Sequence, residues 1–382
     1  MTFIAATLAA LGFGLAFVNG ANDVSKGIAT LVGCGIADYR RAIAWGTLWT
    51  AVGGLVGAVL ATAMVTTFGN GLLTPGTTQT VGAGVATLLG AAAWVLIATR
   101  TGMPVSTTHA IVGSLVGVAA VAYGVDGVRW SALGGKVVLP LLFTPVLSLV
   151  LVTLLLKATR PLTAKLAGRA VARMPDCLCA EVTQSEVALA GPSSPAAAWA
   201  MAAPRLQLIV DTRASCAVER PQAASLTLDQ LHWLTAGAAS LARGMNDAPK
   251  IVALVLAASA LGVTSTVGQA PLFMLVTAGM VLGSVVSGRR VTRLLAEGVT
   301  PMDHREGFLA NLVTAGLVTA GATLGLPMST THVSAGGIIG AGAQRSSLDK
   351  RTLGEMLLAW VVTLPAAAAL GIGTFLVGRW LS

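Results

Sequence analysis

Charge is scarce in this chain. Of its 382 residues only 10% are charged, 55% are hydrophobic, and mean hydropathy is +0.80; that balance excludes an ordinary soluble domain. Cysteine is scarce as well, with four residues, too few for a disulfide framework. Cys34 falls in an apolar run, whereas Cys177, Cys179 and Cys216 fall in a central polar segment. Cys-Leu-Cys with a distant third cysteine could hold a metal, but reduced thiols in a cytoplasmic loop are the expectation. No secretory leader is expected: no basic region precedes the first apolar run, which leads straight into a polar motif and reads as a membrane segment. The net charge of +9 is no nucleic-acid footprint. Its basic residues lie in short loops and the central segment, the distribution of cytoplasmic loops in membrane proteins.

What the chain does have is long apolar stretches: Ala42–Phe68, Val81–Ala98, Val137–Leu156, Leu272–Val286, Phe308–Leu324 and Met356–Val377. Several can cross a hydrocarbon core of about 30 Å as helices. Forty-five glycines suit close helix packing in lipid. The expected class is an all-α polytopic membrane protein. Polar motifs interrupt this background. "GANDVSKG" (Gly20–Gly27) has a sister in "RGMNDAPKIVALVL" (Arg243–Leu256), and "TGMPVSTTHAIVG" (Thr101–Gly113) has one in "LGLPMSTTHVSAG" (Leu324–Gly336). Asn22 precedes Ser106 by 84 residues and Asn246 precedes Ser329 by 83, so the chain reads as a duplication. Repeat one is residues 1–156, the polar segment 157–225, and repeat two 226–382.

Charge in the loops orients the repeats. "DYRR" (Asp38–Arg41) is basic and "GNGLLTPG" (Gly69–Gly76) uncharged, whereas in repeat two "TSTVGQA" (Thr264–Ala270) is uncharged and "GRRVTRLLAEG" (Gly288–Gly298) has three arginines. Corresponding loops therefore face opposite sides, and the repeats are expected to be inverted. The segment with Lys157, Arg160, Lys165, Arg169 and Arg173 then faces the cytoplasm, as does "QRSSLDKR" (Gln344–Arg351); Arg129 in the loop "GVDGVRW" (Gly124–Trp130) dissents. The central segment reads as a linker with a small folded patch around its strand-like run "LQLIV" (Leu206–Val210).

In both "P-x-S-T-T-H" motifs, Gly and Pro stop one helix, and Ser or Thr caps the next. Each motif places a helix N-terminus, with free N–H groups and three hydroxyls, among apolar segments. Such ends attract anions, and Ser106, Thr107, Thr108, Ser329, Thr330 and Thr331 together offer six hydroxyls to a tetrahedral oxyanion. The plainer alternative is Ser/Thr packing glue after a proline kink. His109 and His332 end the motifs, and Ser106/His109 could be a nucleophile and its base. A hydrolase needs one asymmetric site with an orienting acid, and here everything appears twice; no enzyme is expected, and each histidine is expected to hydrogen-bond a neighbouring helix. Asp23 with Lys26, and Asp247 with Lys250, are three residues apart and share a helix face. They are either self-neutralising structural pairs or the lining of a substrate path at discontinuous helices.

At these residues the sequence resembles the inorganic phosphate transporter (PiT) family: "GANDV", a second "NDAPK" and duplicated "P-x-S-T-T-H" stand in the right order around a long loop. The resemblance implies a secondary transporter with inverted repeats, two re-entrant hairpins and a homodimeric state, multi-pass in the cell membrane, of a bacterial inner-membrane type. It implies inorganic phosphate bound by Ser106, Thr107, Thr108, Ser329, Thr330 and Thr331. Asn22, Asp23, Asn246 and Asp247 would hold phosphate or the coupling cation, a proton or sodium; no other cofactor and no nucleic acid is implied. Glutamates that sodium-coupled members tend to carry are replaced by Thr50 and Asn311, and the first motif has gained Lys26. Lys26 and Lys250 are therefore candidates for charge compensation in place of sodium. The expectation is phosphate transport by alternating access, with a sulfate permease as the alternative and a non-transporting receptor on the same scaffold as the rival of another class.

Overall fold

A computed structural model describes residues 2–69, 71–166, 177–183, 205–219, 224–259, 269–344 and 348–381. Among the described residues, six helical segments are long and apolar enough to cross a membrane: Phe3–Gly33, Tyr39–Leu60, Val81–Thr101, Trp130–Arg160, Ala270–Ser287 and Lys350–Leu381. The uncharged stretch 264–268, residues 345–347 and most of the central segment, Arg169 and Arg173 included, lie outside the described residues. The chain divides into two compact units, one of Met1–Leu155 with His232–Ser382, the other Leu156–Leu231.

In the larger unit, α1 (Thr2–Asp23) and α2 (Ser25–Gly33) are separated at Val24 alone, which keeps helical dihedrals. Next come α3 (Tyr39–Leu60), α4 (Thr62–Gly69), α5 (Val81–Thr101), α6 (Thr107–Tyr123), the short α7 (Trp130–Ala132) and α8 (Leu139–Leu166). After the smaller unit, with its helix α9 (Arg213–Glu219), the chain continues through α10 (Leu228–Ala258), α11 (Ala270–Ser287), α12 (Arg289–Arg293), α13 (His304–Thr323), α14 (Thr330–Ala343) and α15 (Lys350–Leu381). The expected discontinuity at both Asn-Asp motifs is corrected: the first passes through Val24 with helical dihedrals, and the second shows no break. Asn246 to Lys250 lie inside unbroken α10, with Pro249 in its interior. Proline removes one helical N–H, and the packed surroundings keep the helix continuous through that loss.

The breaks between α5 and α6 and between α13 and α14 match each other closely. Gly102 (φ +84°) and Gly325 (φ +69°) take left-handed backbone, which lets the helices stop before Met103-Pro104 and Leu326-Pro327. Met103 N–H then bonds Ala98 O and Leu326 N–H bonds Gly321 O, both at 2.9 Å. Ser106 and Ser329 follow with near-identical dihedrals (φ −88°, ψ 111° and φ −88°, ψ 106°), and their hydroxyls accept from His109 N and His332 N at 3.2 Å. Both restart as helices on an N-cap of the expected kind.

Helix packing relies on small residues. α1 lies along α11 so closely that a Cβ on Gly20 would collide with the Met280 carbonyl, and one on Gly283 with the Phe17 carbonyl. The Ser284 hydroxyl donates to Gly20 O at 3.1 Å across that contact. Backbones approach in this way only where side chains are absent.

The smaller unit holds three antiparallel strands, β1 (Cys177–Thr183), β2 (Arg205–Asp211) and β3 (Ala224–Thr227), in the order β2-β1-β3, with the helix α9. The strand expected at Leu206–Val210 is β2. The cysteines depart from the expectation of free thiols: Cys179 and Cys216 form a disulfide, their Cα atoms 6.4 Å apart. The cause is tertiary, since α9 delivers Cys216 to the face of β1 that carries Cys179.

Candidate functional site

Two helices carry the same four-residue stripe. Asn19, Asn22, Asp23 and Lys26 follow the spacing i, i+3, i+4, i+7 along α1 and α2, and Arg243, Asn246, Asp247 and Lys250 repeat it on α10. That spacing puts each set on one helix face. All eight are buried, none more than 3% exposed. Buried charge at this density is tolerated only when it is paired and hydrogen-bonded.

The pairing is thorough. Lys26 Nζ bonds Asp23 Oδ1 at 2.9 Å, Asn22 Oδ1 at 2.7 Å and Asn22 O at 2.8 Å. Lys250 Nζ bonds Asp247 Oδ1 at 3.2 Å, Thr108 Oγ1 at 2.7 Å and Met328 O at 3.1 Å. The Asn19 amide ties the two halves together, donating to Asp23 Oδ2 at 3.0 Å and to Asp247 Oδ2 at 3.2 Å. Thr107 Oγ1 donates to Asp23 Oδ2 at 3.0 Å. Thr108 donates to Met328 O at 3.3 Å, and Thr331 to Val105 O at 2.8 Å. Asn246 Nδ2 bonds Met328 O at 2.9 Å, and Asn22 Nδ2 bonds Met103 O at 3.0 Å. The chain segments entering α6 and α14 thus converge on one buried cluster with both Asn-Asp-Lys stripes. Ser106, Thr107, Thr108, Ser329, Thr330 and Thr331 are each at most 3% exposed.

Sequence reasoning missed two members. Asn19 and Arg243 occupy the same position in the two stripes, one turn before the Asn-Asp pairs, and the i, i+3, i+4, i+7 spacing was the signal that could have found them. Arg243 is 1% exposed. Its Nη2 donates to Thr50 Oγ1 at 3.0 Å, while Nε and Nη1 have no partner. Asn19 Oδ1 and Asn246 Oδ1 are equally without partners. Native interiors rarely leave such groups unpaired, so the cluster has donors and acceptors in reserve. Thr50 meets the guanidinium, and Asn311 donates to Gly27 O at 3.1 Å, so neither brings an acid to the cluster. The formal inventory is three cations, Lys26, Lys250 and Arg243, against two carboxylates.

The histidines behave otherwise than expected. His109 and His332 meet edge to face with ring centroids 4.6 Å apart, and His332 packs on Trp360 at 4.0 Å. Neither Nδ1 has a hydrogen-bond partner. Ring packing between the two helix starts replaces the expected bond to a neighbouring helix, because the pairing of the α6 and α14 N-termini brings the rings onto each other.

Residues 19–371 match the model of a family described as the phosphate transporter family. A Mycobacterium tuberculosis protein described as a probable low-affinity inorganic phosphate transporter is 28% identical over 367 residues, covering 94% of this chain and 74% of its own length. A Mycobacterium leprae protein of the same description matches with the same figures. A solved structure described as the sodium-dependent phosphate transporter superposes with a TM-score of 0.78 at 24% identity, covering 100% of both chains. At that identity the likeness is one of fold.

Proposed function

The chain belongs to the phosphate transporter family and is a multi-pass membrane protein, and on that premise we propose that it carries inorganic phosphate across the membrane by alternating access. The observation that carries this reading is the meeting of two capped Ser-Thr-Thr helix starts with two Asn-Asp-Lys stripes in one occluded cluster. Hydroxyls, helix N-termini and fixed cations together form the donor set a tetrahedral oxyanion needs. A carrier makes no covalent bond, so no nucleophile or base is required of these residues.

In this reading residues 1–156 and 226–382 are inverted repeats around a cytoplasmic segment, 157–225, and the protein works as a homodimer. The pairs α5–α6 and α13–α14 are re-entrant hairpins. Ser106, Thr107, Thr108, Ser329, Thr330 and Thr331, with Asn22 and Asn246, bind phosphate. Their present internal bonds, such as Thr107 to Asp23, are those that phosphate oxygens would replace. Asp23 and Asp247 accept a hydrogen bond from the protonated anion.

The donor set suits a tethered cation better than sodium. Each aspartate already holds an ammonium on its Oδ1, and the oxygens left over are two neutral amide oxygens, on Asn19 and Asn246. Lys26 and Lys250 therefore do the work of a coupling sodium ion, and the carrier is proton-driven or otherwise independent of sodium. One observation favours the second reading, a sulfate permease: the surplus cation, Arg243, would also suit a fully ionised dianion. Uptake of labelled phosphate into proteoliposomes, with sulfate as competitor, tests both. Saturable phosphate uptake is expected. Absence of phosphate uptake alongside sulfate uptake would transfer the site to the second reading, and absence of both would leave the receptor.

A further inference from the structure

Three of the four cysteines in the chain converge on one point of the smaller unit. Alternation along β1 places Cys177 and Cys179 on one face of the sheet, while Leu178 between them is 36% exposed on the other. β1 is the central strand, paired with β2 from Cys177↔Asp211 to Thr183↔Arg205 and with β3 from Cys177↔Thr227 to Ala180↔Ala224, so both cysteines sit where the strand is paired on both sides. The chain leaving β2 turns at Thr212, whose hydroxyl accepts from Ser215 N at 3.2 Å and whose carbonyl accepts from Cys216 N at 3.0 Å. That turn starts α9 and lowers Cys216 onto the face carrying the other two. All three sulfurs lie within 4.8 Å of one another, and the residues are 3%, 0% and 4% exposed.

These cysteines are also a hydrophobic cluster in their own right. Units as small as Leu156–Leu231 commonly rely on a disulfide or a structural metal. A disulfide joins Cys179 to Cys216, with the Cys177 sulfur 3.8 Å from that of Cys179. In a cytoplasm such a bond does not persist, because the thiol pool reduces it. A metal held by thiolates does persist there.

We propose that Cys177, Cys179 and Cys216, in their reduced form, are a three-thiolate site for a soft metal ion, copper(I) or zinc(II), which staples the smaller unit. Reduction comes first: two equivalents of a monothiol convert the Cys179–Cys216 disulfide to two thiols and leave as their own disulfide. The three thiols then bind one metal ion and release three protons, with no further change of oxidation state. Soft thiolates select these two ions over harder ones. Copper(I) is content with three sulfur ligands, whereas zinc(II) takes a fourth ligand to complete its tetrahedron. The disulfide and the metal therefore exclude each other, and the unit has an oxidised staple and a reduced one.

The test uses the full chain in detergent, reduced with a phosphine, stripped of metal, and titrated separately with zinc(II) and copper(I) against a chromophoric chelator. One ion per chain is expected to bind in at least one arm, and X-ray absorption should report three sulfur neighbours at about 2.3 Å for zinc. Cys179→Ser and Cys216→Ser should weaken binding more than about tenfold, and Cys34→Ala should leave it unchanged. Cys177→Ser retains the disulfide partners, so its oxidised form checks folding; reduced, it should lose the metal as the other two do. The oxidised wild type should bind none. Lack of stoichiometric binding in both arms, or binding unaltered in Cys177→Ser and Cys179→Ser, would overturn the site.

Discussion

A buried guanidinium with two unpaired nitrogens is the least settled group in the cluster. Arg243 Nε and Nη1 lack partners, and leaving charged donors unmet costs several kcal/mol in a dry site. A bound oxyanion would meet them. Arg243→Gln should therefore weaken phosphate binding by about 1.5–3 kcal/mol, the range for hydrogen bonds to charged groups. Arg243→Lys should recover only part, since an ammonium does not reproduce the planar fork. Isothermal titration with phosphate checks both, and wild-type affinity in the glutamine variant would remove Arg243 from the site. Thr107→Val and Thr330→Val delete a donor at nearly constant shape. Each should weaken binding by about 1–3 kcal/mol if its hydroxyl faces the anion, and unchanged affinity in both would leave the hydroxyls as packing. Asp23 and Asp247 make the remaining distinction. Protonated phosphate can donate to a carboxylate, but ionised sulfate cannot, and a site built on that bond rejects an analogue lacking it. Sulfate should inhibit phosphate uptake far less than unlabelled phosphate does; equal inhibition would count against the aspartates as proton-sensing ligands.

At the level of elements, the chain resolved some expectations and overruled others. The stops before α6 and α14 were legible because Gly-x-Pro followed by Ser-Thr-Thr admits little else: glycine supplies φ of +84° and +69°, proline ends one helix and serine caps the next. Substituting alanine at Gly102 or Gly325 forces an L-residue into left-handed backbone, which costs roughly 1–2 kcal/mol. The entry of α6 or α14 should shift accordingly. Thermal stability in detergent should fall in both variants while Gly14→Ala, where a Cβ meets nothing, leaves it unchanged. Continuity of α10 was not legible. The charged pair suggests a discontinuous helix, yet the burial of Asn246 to Lys250 leaves the segment no better backbone partners than those of a helix. The β-strands of the smaller unit were legible only in part, through "LQLIV": β3 has four residues, and β1, as long as β2, lacks its concentration of Leu, Ile and Val.

For the molecule as a whole, the decisive quantity is the charge balance of its occluded centre. With Lys26 on Asp23 and Lys250 on Asp247, a carrier needs no sodium to neutralise its carboxylates before it accepts an anion. Uptake with choline replacing sodium, at fixed pH and membrane potential, should proceed at the wild-type rate. In Lys26→Asn it should collapse or become sodium-dependent, because the uncovered carboxylate then needs an external cation. A wild type that transports only in sodium would end this account of coupling.

The membrane class, the repeated motifs and most of the residues that meet in the cluster were legible in local pattern. Hydropathy follows from composition, helix stops follow from glycine and proline, and a repeated motif announces itself by repetition. Asn19 and Arg243 stood in the same stripes one turn earlier, but a stripe alone says only which residues share a face. It does not say what they face. Contact between Asp23 and Thr107, between Lys250 and Thr108, and between the Asn19 amide and both carboxylates joins residues 84, 142 and up to 228 positions apart. Likewise Cys216 reaches Cys179 across 37 residues. Such contacts depend on how helices and strands pack, which is set by the summed fit of many side chains and by close approaches such as Gly20 on Met280. Only the tertiary structure decided them, because packing is a property of surfaces that meet, and no window of sequence contains both.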